Sequence, residues 1–247
     1  MPEWLIGAVS KTVVVRKGYR GFESHSLRQV YQSTQVSKTC VDFEERGNQM
    51  EVISTLQPGC YYHLYNRGNN RENIFFEERN CDYFLRLYLK HVQPVADTYA
   101  YCLLPNHFHF LVRIRVEDEI SPTNQNKPFR PSQGFSNLFN AYAKAVNKAY
   151  KRTGSIFEDR FHRHLIDTDS YFLNLVFYIH FNPQKHNYVK DFRVWKWSSY
   201  KLLETRQASF LNENEVIGWF GNINNFRKFH QERLEEKSLI NLFKEDE

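Results

Sequence analysis

Two histidines separated by one residue stand in the run Leu104-Pro-Asn-His-Phe-His-Phe-Leu-Val-Arg-Ile-Arg115, whose alternation is that of a strand. Neighbouring side chains of a strand point to opposite faces. Phe108, Phe110, Val112 and Ile114 therefore share one face, and His107, His109, Leu111, Arg113 and Arg115 share the other. Two imidazoles about 7 Å apart along the strand, with guanidiniums beyond them, suit a divalent cation beside a phosphate. The chemistry this suggests is metal-dependent attack on a phosphodiester. Ordinary strand histidines are the plainer account of an isolated His-x-His, so the rest of the chain has to decide. A second candidate lies in Tyr178-Ile-His-Phe-Asn-Pro183, where Tyr178 and Asn182 are four residues apart and project from one helical face, with Asn174 a turn earlier. The plainer account of that spacing is a core tyrosine and an asparagine capping a helix before a proline.

These residues need elements to hold them. Cys60 to Arg67 alternates as a strand and runs into the turn-like Gly68-Asn-Asn70. Glu77 to Val92 has the 3.6-residue period of a helix that Pro94 terminates, and Thr98 to Leu104 reads as a strand joined by Pro105-Asn106 to the His-x-His strand. After a polar loop at residues 116–131, Ser132 to Arg152 carries a helical apolar stripe and Ser155 to Ile166 a fourth strand. Asp167 to Phe181 is a third helix, with capping candidates Thr168, Asp169 and Ser170 and with Pro183 at its end. The order strand, helix, strand, strand, helix, strand predicts an α+β, ferredoxin-like fold: a four-stranded antiparallel sheet with helices on one face. The other face is expected to stay open and to carry the two histidines and the arginines. A helical C-terminal extension, with a helix over Asn224 to Lys237, follows.

With 247 residues, 41% of them hydrophobic, the chain can bury one good core. The net charge of +5 is mild, and 16% aromatic residues beside basic side chains suit single-stranded nucleic acid as well as an aromatic-rich core. Four widely spaced cysteines, Cys40, Cys60, Cys81 and Cys102, indicate neither a zinc knuckle nor a disulfide framework. No apolar run has the length of a membrane span, so the expectation is a cytoplasmic protein with no membrane partner. Residues 1–49 show no sustained period, and Glu3 to Thr12 and Gly21 to Ser24 resemble a transfer-RNA gene read in frame. The expected organisation is a disordered, non-domain segment over 1–49 with translation starting at Met50, a catalytic domain over 50–189 and a C-terminal extension over 190–247.

Four segments in order, Tyr61-Tyr-His-Leu-Tyr-Asn-Arg-Gly68, Leu104-Pro-Asn-His-Phe-His109, Gly154-Ser-Ile-Phe-Glu-Asp-Arg-Phe161 and Tyr178-Ile-His-Phe-Asn-Pro183, resemble the motifs of single-tyrosine HUH transposases of the IS200-like superfamily. The similarity is greatest to the REP-associated tyrosine transposases. That resemblance implies Tyr178 as nucleophile and His107, His109 and Asn182 as ligands of Mg²⁺ or Mn²⁺. It also implies cleavage of single-stranded DNA beside a hairpin through a 5′-phosphotyrosine, with rejoining to a 3′-hydroxyl. Some relatives carry Gln at the third-ligand position, where this chain has Asn182. For DNA contact the expected residues are Asn66, Arg67, Arg113, Arg160, His162 and Arg163, whose groups suit phosphates and guanine edges. The oligomeric state is expected to be a monomer or homodimer. A non-catalytic single-stranded nucleic-acid-binding module or a hydrolytic metal nuclease would use many of the same residues, and neither needs Tyr178.

Overall fold

The computed structural model describes residues 55–120, 130–158, 160–166, 169–207 and 210–235; the expectations for residues 1–49 and for Thr168 lie outside them. The order is β1 (Tyr61–Arg67), α1 (Glu78–His91), β2 (Ala96–Leu104), β3 (His107–Ile114), α2 (Pro131–Tyr150), β4 (His162–Ile166) and α3 (Asp169–Lys185). Three further helices follow: α4 (Tyr200–Thr205), α5 (Glu213–Trp219) and α6 (Ile223–Glu235). The sheet runs β2-β3-β1-β4 with every neighbouring pair antiparallel, which is the ferredoxin-like order expected.

Alternation along β3 decides which face is which. Phe108 and Phe110 turn toward α1 and α2, where Tyr88 stacks on Phe110 at 4.4 Å between centroids and Phe84 lies 5.2 Å from Phe108. Asn80 caps α1, its side-chain oxygen accepting the amides of Phe76 and Glu77 at 2.9 and 3.0 Å. Pro131 opens α2 at the position where a missing N–H costs nothing. Gly134 lets α2 approach the end of α1, since a Cβ there would stand 2.6 Å from the His91 carbonyl oxygen.

The opposite face is not open, which corrects the expectation. α3 packs on it, and Leu175, Val176, Phe177, Tyr178, Ile179, His180 and Asn182 are all buried. A helix apolar on nearly every side has to be covered on both, and residues Phe192, Tyr200 and Phe226 cover the side away from the sheet. α3 also runs two residues past Pro183 instead of ending before it, because in the last turn a proline removes only one helical hydrogen bond. The C-terminal extension closes the β2 edge: the Leu103 amide donates to the Trp197 carbonyl at 2.8 Å, and the Ser199 amide to the Tyr101 carbonyl at 2.9 Å. β4 is shorter than expected, with Phe157 forming only an isolated bridge to Gly68. Cys81 and Cys102 are buried and free. Cys60 takes part in a disulfide, which the cysteine spacing did not suggest. Among the described residues no helix is long and apolar enough to cross a membrane.

Candidate functional site

The register gathers the site. Arg67 opposes His107, Tyr65 opposes His109, and on the other side of β1 Tyr65 opposes His162 and His63 opposes His164. Directly opposed residues share a face, so these side chains form one polar field on the face that α3 crosses. α3 brings Tyr178 edge-on to His109 and His63, with ring centroids 5.6 and 6.1 Å apart. The Lys185 ammonium stands 5.1 Å from the Tyr178 ring centroid, and the His186 ring 4.8 Å from His107.

Hydrogen bonds set the imidazoles. His107 Nδ1 lies 2.7 Å from Asn106 Oδ1, an oxygen that can only accept, so Nδ1 carries the proton and Nε2 keeps its lone pair. His109 Nδ1 meets His63 Nε2 at 3.0 Å; with His109 as donor its own Nε2 is likewise a lone pair. Burial, and then the neighbours His186, Arg67 and Lys185, push His107 down to about 3, while a polar contact with Asn182 works in the other direction. His109 is held well below the usual histidine range by burial, then by His63, His107, His186 and Lys185. Both rings are therefore neutral at physiological pH, the state in which imidazole binds a cation.

Asn182 completes the set. Its Nδ2 donates to the Tyr178 carbonyl at 2.9 Å, and its Oδ1, though in contact range of His107, makes no hydrogen bond by geometry and is buried. A buried acceptor without a well-formed hydrogen bond costs about 1–3 kcal/mol, and beside the neutral His107 imidazole it is what a cation would satisfy. The donor set fits a divalent metal. Among the described residues no group of three or more His, Cys, Asp or Glu is arranged to hold one, and two imidazoles with one amide fall outside that composition.

The expected DNA contacts divide. Arg67 borders the histidines, its Nε 3.6 Å from Glu158; Arg160 is exposed; His162 is exposed and stacked on Tyr65 at 4.8 Å. Asn66 is corrected: it opposes Phe108 on the face packed by α1 and α2, 2% exposed, and its oxygen accepts the Arg67 amide. Arg163 is turned the same way by strand alternation and lies over the Phe161 ring at 4.5 Å. Arg113 is on the histidine face, yet at the other end of β3, with its charge held by Glu119 at 3.0 Å and Asp97 at 3.3 Å. Residues the sequence reading missed are His63, Tyr65, Asn106, Lys185 and His186. The period-2 set Tyr61, His63, Tyr65, Arg67 and the step from Tyr178 to Asn182 to Lys185 along one helical face were the available signals.

No family model matches the chain. A curated protein of Haemophilus influenzae described as "Putative REP-associated tyrosine transposase" is 32% identical over 110 residues, which is 42% of this chain and 58% of that protein. The chain thus spans less than two thirds of the relative's length. A solved structure of a REP-associated tyrosine transposase bound to a REP hairpin covers 64% of this chain and 87% of its own, with 17% identity and a TM-score of 0.49. The family that the four motifs resemble is the one named in this relative's description.

Proposed function

We propose that this chain is a DNA transposase of the REP-associated tyrosine kind, cutting single-stranded DNA next to a hairpin and passing the 5′ end through a covalent bond to Tyr178. The observation that carries the reading is the convergence of Tyr178, a buried acceptor of Asn182 with no hydrogen bond, and two neutral histidines on one sheet face. The curated relative supports the same reading.

A divalent cation, Mg²⁺ or Mn²⁺, held by His107, His109 and Asn182 would polarise the scissile phosphate and offset the charge that develops on it. Asn106 and His63 hold the two imidazoles in the orientation that presents Nε2. A free phenol titrates near 10, so Tyr178 needs a positive field to act as a nucleophile, and Lys185 against its ring supplies one. The Tyr178 oxygen forms the new bond to phosphorus and gives up its proton. The bond from phosphorus to O3′ breaks, and the departing O3′ takes up a proton to become a 3′-hydroxyl. Because the phosphotyrosine conserves the ester, a 3′-hydroxyl can reverse the step and join strands without ATP.

The experiment is a denaturing gel with hairpin DNA labelled on the 3′ side of the cut. Wild type is expected to give a protein-linked band that Tyr178→Phe lacks. Protein-free cleavage that persists in Tyr178→Phe would establish hydrolysis and overturn the proposal.

A further inference from the structure

Three rings from three adjacent strands stand as successive rungs across the site face: His109 of β3, Tyr65 of β1 and His162 of β4. His109 and Tyr65 are 5.8 Å apart between centroids at 28°, and Tyr65 and His162 are 4.8 Å apart at 10°. That spacing is close to the roughly 4.8 Å between strands, so the sheet itself holds the rings parallel. His164 steadies the middle rung. Its Nε2 is 3.0 Å from the Tyr65 hydroxyl, and its ring stacks on Tyr65 at 5.6 Å and 21°.

The inner rungs are buried, with His109 2% and Tyr65 8% exposed, whereas His162 is exposed. Among the described residues β4 is an outer strand of the sheet, and no further strand covers the row beyond His162. The row therefore has a closed end at the Tyr178 site and an open end about two strand spacings away, roughly 10 Å.

We infer that His162 is a stacking platform for one nucleobase, the fourth flat ring of this row, belonging to a nucleotide that flanks the phosphate held at His107 and His109. The inference rests on the single-stranded DNA reading above and names a contact that reading does not require. Every base offers a π-face, and single-stranded nucleic acid is held by aromatic and imidazole rings set beside positive charge. The charge is present: Arg160 is exposed two residues before His162, and Arg67 borders the histidines on the neighbouring strand.

The test uses the full chain and a single-stranded oligothymidylate carrying one 2-aminopurine, a base whose fluorescence falls when it stacks. Wild type is expected to quench the probe on binding. His162→Ala is expected to relieve the quench and to raise Kd about fivefold, at the lower end of one base stack. His162→Trp should restore both. An abasic site in place of the probe base should weaken wild type and change His162→Ala little, because the two losses remove the same contact. Equal Kd and equal quench for wild type and His162→Ala would overturn the inference while leaving the transposase reading intact. A His162-dependent quench in a chain that forms no Tyr178 adduct on hairpin DNA would do the reverse, and a chain that binds no oligothymidylate would overturn the inference alone.

Discussion

Among the described residues two pairs of histidines meet at 3.0 Å, His63 with His109 and His180 with His230, and they do opposite things. In the second pair every ring nitrogen is spoken for. His230 Nδ1 donates to the Phe226 carbonyl at 2.8 Å, so its Nε2 accepts from His180 Nδ1, and His180 Nε2 faces the Ser199 hydroxyl at 2.8 Å. Ser199 Oγ in turn accepts the Tyr101 amide at 2.9 Å. The result is a closed polar chain that ties α6 to α3 and α3 to β2. The His63–His109 pair leads to the site instead: with His109 as donor across it, His109 Nε2 is a lone pair on the ring that Tyr178 meets edge-on at 5.6 Å. Both pairs are buried and both have histidines pushed far toward the neutral form. Burial and a low pKa therefore do not mark a site; what lies against the imidazoles does, a serine hydroxyl and a backbone carbonyl in one pair and Tyr178 in the other.

If that contrast is right, substitutions in the two pairs separate activity from stability. His109→Ala is expected to lower cleavage by about a thousandfold or more, the several kcal/mol a metal contributes at a phosphate, with a small change in Tm. A gel assay paired with a melting curve checks it, and a large loss of Tm would break the contrast. His180→Ala should destabilise by about 3 kcal/mol, since it leaves a cavity and strands both Ser199 and His230. Denaturant unfolding measures that loss, and the adduct formed per folded molecule should stay near wild type.

Acid offers a subtler separation. Burial pushes His230 down from 6.5 to about 4, so the unfolded chain binds a proton between those values that the folded chain refuses. Its contribution is complete above pH 6.5 and is lost as pH falls toward 4, by up to about 3 kcal/mol. A His230→Gln variant should show a flatter stability curve over that window in urea titrations at several pH values. The smallest expected effect is at His63. His63→Ala should weaken activation by Mn²⁺ by about 10- to 100-fold through loss of the imidazole that orients His109, and excess Mn²⁺ should recover much of it. A full loss that Mn²⁺ does not rescue would make His63 more than an orienting group.

Much of this was legible in the residues. The period-2 split of residues 107–115 put Phe108 and Phe110 on the helix-packed face and His107 and His109 on the other, and the βαββαβ order gave the sheet its strand order. The same alternation, applied to β1 and β4, would have turned Asn66 and Arg163 away from the site, since each is one residue out of phase with Arg67 and His162. What alternation cannot supply is a partner distant in sequence. Arg113 is held by Glu119 and Asp97, and His63 reaches His109 only once β1 lies beside β3. The covered second face was foreshadowed by the unbroken apolar stretch of α3, which one sheet face alone does not explain.

α3 is wedged between its own sheet and its own C-terminal helices, and that placement has a genetic reading. Tyr178 and the imidazoles beside it come from one polypeptide, and withdrawing the helix would uncover Phe177, Ile179 and His180 together. A chain with Tyr178→Phe and a chain with His109→Ala each keep one half of the chemistry. Expressed together they are expected to stay inactive, as two alleles of one cistron that do not complement.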